Sequence, residues 1–206
     1  SKYISSYKGV LILIAVLKWH EILLGSLMQP FLIQGLDLSL DQVGVWLNIY
    51  GTIANIIGSM VAGYCMDFYC RKSAVQSFVA MQLLASVGFY IMALGYVQPL
   101  LINTVIFIEK FADGLMNTTI MMIILHYCSK QRAATENAFI LSITSTCRAM
   151  VGPFAVGVHT IGGHWYGFFL MSATMLLPIF FLLTKKDWDD FFTYSPRLDS
   201  LGNNFT

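Results

Sequence analysis

Six charged residues stand near the middle of long apolar runs of the chain: Lys18, Glu21, Glu109, Lys110, Asp113 and Arg148. Charges at membrane depth cost a few kcal/mol each and face a bundle interior or a water-filled cavity. Lys18 and Glu21 are three residues apart, so on a helix they share a face and can pair. Glu109 and Asp113, four apart, also share a face and repel each other unless a cation intervenes, whereas Lys110 is set about 100° round the helix. Arg148 is the obvious candidate for that cation. One reading of the set is a polar substrate site in which Glu21 or Glu109 takes up and releases a proton. The other is interhelical ion pairing that holds the bundle in register. His20, beside Glu21, reads as a hydrogen-bonded core residue before it reads as a proton relay.

The elements that position these residues are transmembrane helices. Of 206 residues, 57% are hydrophobic and only 11% charged, against about 25% charged in a soluble domain. That balance leaves too little polar surface for a water-soluble globule, and a net charge of +1 excludes a general nucleic-acid binder. Six apolar runs span about Gly9–Gly35, Val43–Met66, Ala74–Gly95, Leu100–Cys128, Ala134–Gly157 and Trp165–Thr184. Each has the ~20 residues that a helical crossing needs, and no alternating pattern suggests a barrel. The expected fold is therefore an all-α membrane protein with six transmembrane helices. Residues 1–8 form a cytoplasmic N-terminal segment, 9–184 the bundle and 185–206 a cytoplasmic tail. With span centres near Ile22, Asp113 and Ser145, all six buried charges fall within roughly 6 Å of the midplane at 1.5 Å rise per residue.

The surface charges orient the bundle. Nine of the 12 Lys and Arg flank the spans on one side, and none lies in Leu36–Gln42, Tyr96–Pro99 or Val158–His164. By the positive-inside rule both termini are cytoplasmic. Trp46, Tyr50, Tyr96, Trp165 and Tyr166 suit an outer aromatic belt, and Tyr7, Tyr64, Tyr69, Tyr127 and Trp188 an inner one. Cys65, Cys70 and Cys128 lie at cytoplasmic helix ends and Cys147 in mid-span, so no disulfide framework is expected. Asn117-Thr118-Thr119 matches a glycosylation sequon by chance, inside the fourth span. Pro30, Pro153 and Pro178 are expected to kink their helices.

A second constellation follows span two: Gly63-x3-Asp67-x3-Arg71-Lys72. Gly63 would allow close helix approach, Asp67 ends the span, and Arg71 and Lys72 would sit in a cytoplasmic turn. The spacing and place resemble the loop signature of the major facilitator superfamily, between the second and third helices of a six-helix half. Gly58-x4-Gly63 and Gly152-x4-Gly157 close the middle helices of two three-helix sets, as an inverted 3+3 repeat would.

A narrower resemblance runs through Lys18-x2-Glu21, Phe31-Leu32-Ile33-Gln34-Gly35, Val43-Gly44-Val45, Glu109, Cys128-Ser129-Lys130, Ala134-Thr135, Ala138 and Arg148-x3-Gly152-Pro153. Across most of residues 10–185 this order resembles the second half of AmpG-type muropeptide permeases and, more distantly, acetyl-CoA transporters. The resemblance implies one half of a major facilitator fold, with the other six helices, or a second copy, as partner. It implies proton-driven movement of a polar or amphiphilic solute such as a sugar–peptide across a bacterial inner membrane, with a eukaryotic endomembrane as second choice. Lys18, Glu21, Glu109 and Arg148 carry over as candidate site residues, while Lys110 and Asp113 are particular to this chain. The competing readings are a non-transporting scaffold or degenerate permease fragment and, behind these, an intramembrane enzyme. No second zinc-helix His follows His20-Glu21 and no Gly-x-Ser-x-Gly elbow occurs, so no catalysis, metal or cofactor is expected.

Overall fold

A computed structural model describes residues 14, 18–68, 71–127 and 164–184, with single positions between 138 and 157. Among the described residues the regular structure is helical throughout, without a strand. We label five helices. Helix α1 covers residues 18–30 and continues as a π-helical stretch, Phe31–Gly35. Helix α2 is Leu40–Phe68, α3 Arg71–Ala93, α4 Pro99–Tyr127 and α5 Trp165–Thr184. The shortest of the last four, α5, has 20 residues, roughly 30 Å at 1.5 Å per residue and so the thickness of a bilayer core. By length and apolar composition, α2 and Lys72–Ala93 of α3 could each cross a membrane.

These bounds follow local chemistry. Helix α2 starts three residues before the expected Val43, because Ser39 and Gln42 form a reciprocal capping box that satisfies orphan N–H groups. Helix α3 ends at a turn in which Gly95 takes φ +99°, a conformation that only glycine adopts without cost. Pro30 lacks the N–H for an i−4 bond, and the helix continues past it with the wider π turn instead of a break. The sixth expected span matches α5. The fifth, Ala134–Gly157, lies outside the described residues apart from its single helical positions.

Two expectations about the second constellation are corrected. Arg71 and Lys72 stand in the first turn of α3, so the connection from Phe68 is two residues long. Gly63 makes no close approach, since a Cβ built there meets nothing within 4 Å. The tight crossing of α2 on α4 is made by Gly58 and Gly114. A Cβ on Gly58 would lie 2.2 Å from the Phe111 carbonyl oxygen, and one on Gly114 2.1 Å from that of Asn55.

The interior has two apolar clusters. The outer one joins Leu24, Leu27 and Phe31 of α1 to Phe89 and Met92 of α3, Ile102 and Ile106 of α4, and Phe169 of α5. Its rings pack edge-on between Phe31 and Phe169 (4.9 Å) and stacked between Phe89 and Phe169 (5.3 Å). Trp165, at the start of α5, leans on Phe31 at 5.4 Å. The inner cluster gathers Met66 of α2, Val75, Phe78 and Val79 of α3, Ile120 and Ile124 of α4, and Leu176 of α5. The outside of α2 is apolar too, with Ile49, Ile53, Ile56 and Met60 exposed, the surface that lipid or another apolar partner would cover.

Candidate functional site

Each helix changes character between the two clusters. Helix α1 places Lys18, His20 and Glu21 there, α2 Asn55 and Ser59, α3 Gln82 and Ser86, α4 Glu109, Lys110, Asp113 and Asn117, and α5 Ser172. The five helices thus put polar residues in one layer, with apolar side chains on both sides. Glu109 is 1% exposed, His20 1%, Gln82 3% and Asp113 8%. Groups so deeply buried must be paired or hydrogen-bonded to remain polar.

Lys18 and Glu21 form the pair that their spacing predicted, with Nζ 2.7 Å from Oε2. Lys18 Nζ also donates to Oδ1 of Asn117, which ties α1 to α4. Asn117 is one helical turn beyond Asp113 on the face that carries Glu109, so the same spacing argument that paired the carboxylates could have found it.

On α4 the arrangement differs from expectation. The ammonium of Lys110 folds back to lie 3.1 Å from Glu109 Oε2 and 3.3 Å from Asp113 Oδ2. The side chain leaves the helix about 100° from Glu109, but four methylenes are enough to bring its charge round. Gly51 of α2 makes room for that stem, since a Cβ there would come within 3.0 Å of Lys110 Cγ. Asn55 Nδ2 donates to the Lys110 carbonyl oxygen at 3.4 Å. Lys110 is therefore a cation set between the two carboxylates, while Arg148, the candidate for that place, lies outside the described residues. Gln82 of α3 completes the cluster by donating through Nε2 to Asp113 Oδ1 at 3.2 Å.

His20 is a hydrogen-bonded core residue. Its Nδ1 lies 3.1 Å from Ser172 Oγ and its Nε2 3.5 Å from Ser86 Oγ. Ser86 donates its own proton to the Gln82 carbonyl oxygen at 3.1 Å, which leaves its oxygen to accept from Nε2–H. The imidazole joins α1, α3 and α5 across the layer. Lys18, Glu21, Glu109, Lys110 and Asp113 are thus brought together, whereas Asp67 lies eight residues beyond Ser59, roughly 12 Å further along α2. Lys72 stands in the first turn of α3, at the same end of the bundle.

No family model matches the chain. It is 25% identical over 174 residues to the anhydromuropeptide permease of Escherichia coli K12, a match covering 84% of this chain and 35% of that protein. It is 31% identical over 182 residues to the putative transporter AmpG 4 of Rickettsia conorii, covering 85% and 42%. The chain is similar to AmpG-type permeases. A further AmpG-type relative, the putative transporter AmpG 1 of Rickettsia felis, is 23% identical over 176 residues, covering 85% and 40%. The chain spans 35 to 42% of the length of these three relatives. All three carry the name of a permease or transporter rather than of an enzyme, in keeping with the resemblance that the motifs carried.

Proposed function

We propose that this chain is the C-terminal six-helix half of a proton-coupled secondary transporter of major facilitator type, moving a muropeptide-like sugar–peptide. The observation that carries the reading is the polar layer itself. It holds three carboxylates and two ammonium groups among the described residues, between two apolar clusters. One negative charge then requires a proton, Arg148 or a cationic part of the solute, and exchange among these is what couples proton movement to solute movement. Glu21 and Glu109 are the proton-coupling candidates, with Lys18, Arg148, Lys110 and Asp113 as binding groups. Gly63, Asp67, Arg71 and Lys72 form a gating end on the cytoplasmic side. The likeness to named permeases supports transport as the class of activity, and their names supply the solute to try first.

The test is uptake of a labelled anhydromuropeptide into proteoliposomes holding the full-length protein, driven by an imposed pH gradient. Glu21→Gln keeps the shape and removes the titratable group, so gradient-driven uptake is expected to fall at least tenfold while the protein remains folded by circular dichroism. Wild-type rates in that variant would remove Glu21 from the coupling step, and absence of uptake by the unaltered protein would sink the substrate assignment.

A further inference from the structure

Between α1, α3, α4 and α5 lies a cavity of about 10 Å3, lined by His20, Glu21, Val79, Gln82, Met116 and Leu176. One water needs roughly 10–15 Å3 and two or more polar partners. The cavity stands at the lower edge of that size, and its lining supplies the partners. Gln82 is 3% exposed, and its Oε1 has no hydrogen-bond donor among the described residues. An amide flip does not remove this acceptor without loss. Asp113 Oδ1 is met by Nε2, and a carboxylate only accepts, so turning the amide would set two oxygens against each other. Buried carbonyl oxygens are almost always satisfied, and leaving one bare costs more than a hydrogen bond gains.

We propose that this cavity binds a single water molecule that donates hydrogen bonds to Gln82 Oε1 and to the Glu21 carboxylate. The water joins the Lys18–Glu21–Asn117 group to the Glu109–Lys110–Asp113 group, because Gln82 holds Asp113 with its other end. The two charged groups then form one network, and protonation of Glu21 withdraws an acceptor from the water that Gln82 shares. Gln82 is a positioning residue in this arrangement. The functional consequence rests on the coupling role proposed for Glu21, but the water site itself does not.

The experiment is infrared difference spectroscopy of the full-length protein in lipid, perfused between acid and neutral buffers made in ordinary and in 18O water. A bound water gives an O–H stretching band that moves to lower frequency with the heavier isotope, and this band is expected in the unaltered protein. Val79→Ile fills the cavity with one methylene and touches no polar group, while Gln82→Leu removes the acceptor. The band is expected to be lost in both. A band that survives either substitution, or no isotope-sensitive band in the unaltered protein, overturns the proposal. The last of these is decisive even where a variant fails to fold. None of the readouts requires transport, so a failed uptake assay and a failed water site remain distinguishable.

Discussion

At the scale of single residues, the layer is held by one cation placed between two acids. Lys110 meets both Glu109 and Asp113, and its removal leaves two carboxylates buried on one helix face. Taking one partner from a buried ion pair costs about 3–5 kcal/mol, chiefly because the charge left behind is uncompensated. Lys110→Met is therefore expected to lower stability by about that amount, measured as denaturation midpoint in detergent. The double variant Lys110→Met with Asp113→Asn is expected to recover a large part of the loss. An unchanged midpoint in the single variant would mean that Glu109 or Asp113 is already neutral or paired elsewhere. The residue types of this cluster and their common depth were legible in the sequence, because ionisable groups inside apolar runs are rare enough to mark themselves. Their partners were less so. Helical spacing fixes where a side chain leaves the backbone, and a four-carbon stem undoes that information at its tip. Gln82 was passed over for another reason, since an uncharged amide alone on its span carries no signal until its neighbour across the helices is known.

At the scale of elements, the bundle depends on how closely α2 and α4 approach. Gly58 and Gly63 are five residues apart, so they point about 140° away from each other and cannot both face α4. The sequence pattern singled out both, and the packing uses Gly58 with Gly114, which no pattern had marked. A glycine contact between helices needs both partners, and only one helix can be read at a time. Gly114→Ala would set a Cβ 2.1 Å from the Asn55 carbonyl oxygen. The helices must part, at a cost of about 1–3 kcal/mol for overpacking and with loss of the Asn55 and Ser59 bonds across the crossing. Gly63→Ala meets open space and is expected to stabilise by about 0.5–1 kcal/mol through helix propensity alone. Thermal midpoints of the two variants in the same detergent check the pair, and a loss from Gly63→Ala equal to that from Gly114→Ala would refute the crossing.

At the scale of the whole molecule, two independent orders agree. The alternation of apolar cluster, polar layer and apolar cluster runs in opposite senses along α1, α2, α3 and α4 in turn, as antiparallel spans require, and α5 runs in the same sense as α4. The basic residues divide by side in the same alternation, with none in Leu36–Gln42 or Tyr96–Pro99. Burial uses side chains that face inward and topology uses charges that lie outside the membrane, so neither pattern follows from the other. By the positive-inside rule the α1–α2 and α3–α4 connections are expected outside and the α2–α3 connection inside. Gln98 is exposed in the connection before α4, which makes it a suitable reporter. Gln98→Cys is expected to react in intact cells with a maleimide that does not cross membranes. The unaltered chain, whose Cys65 is expected on the opposite side, is expected to react only after permeabilisation. Labelling of the unaltered chain from outside, with Gln98→Cys protected, would turn the bundle over. It would leave the polar layer intact but exchange the faces from which a proton would enter and leave it under the proposed coupling, so the direction of the proposed transport depends on this result.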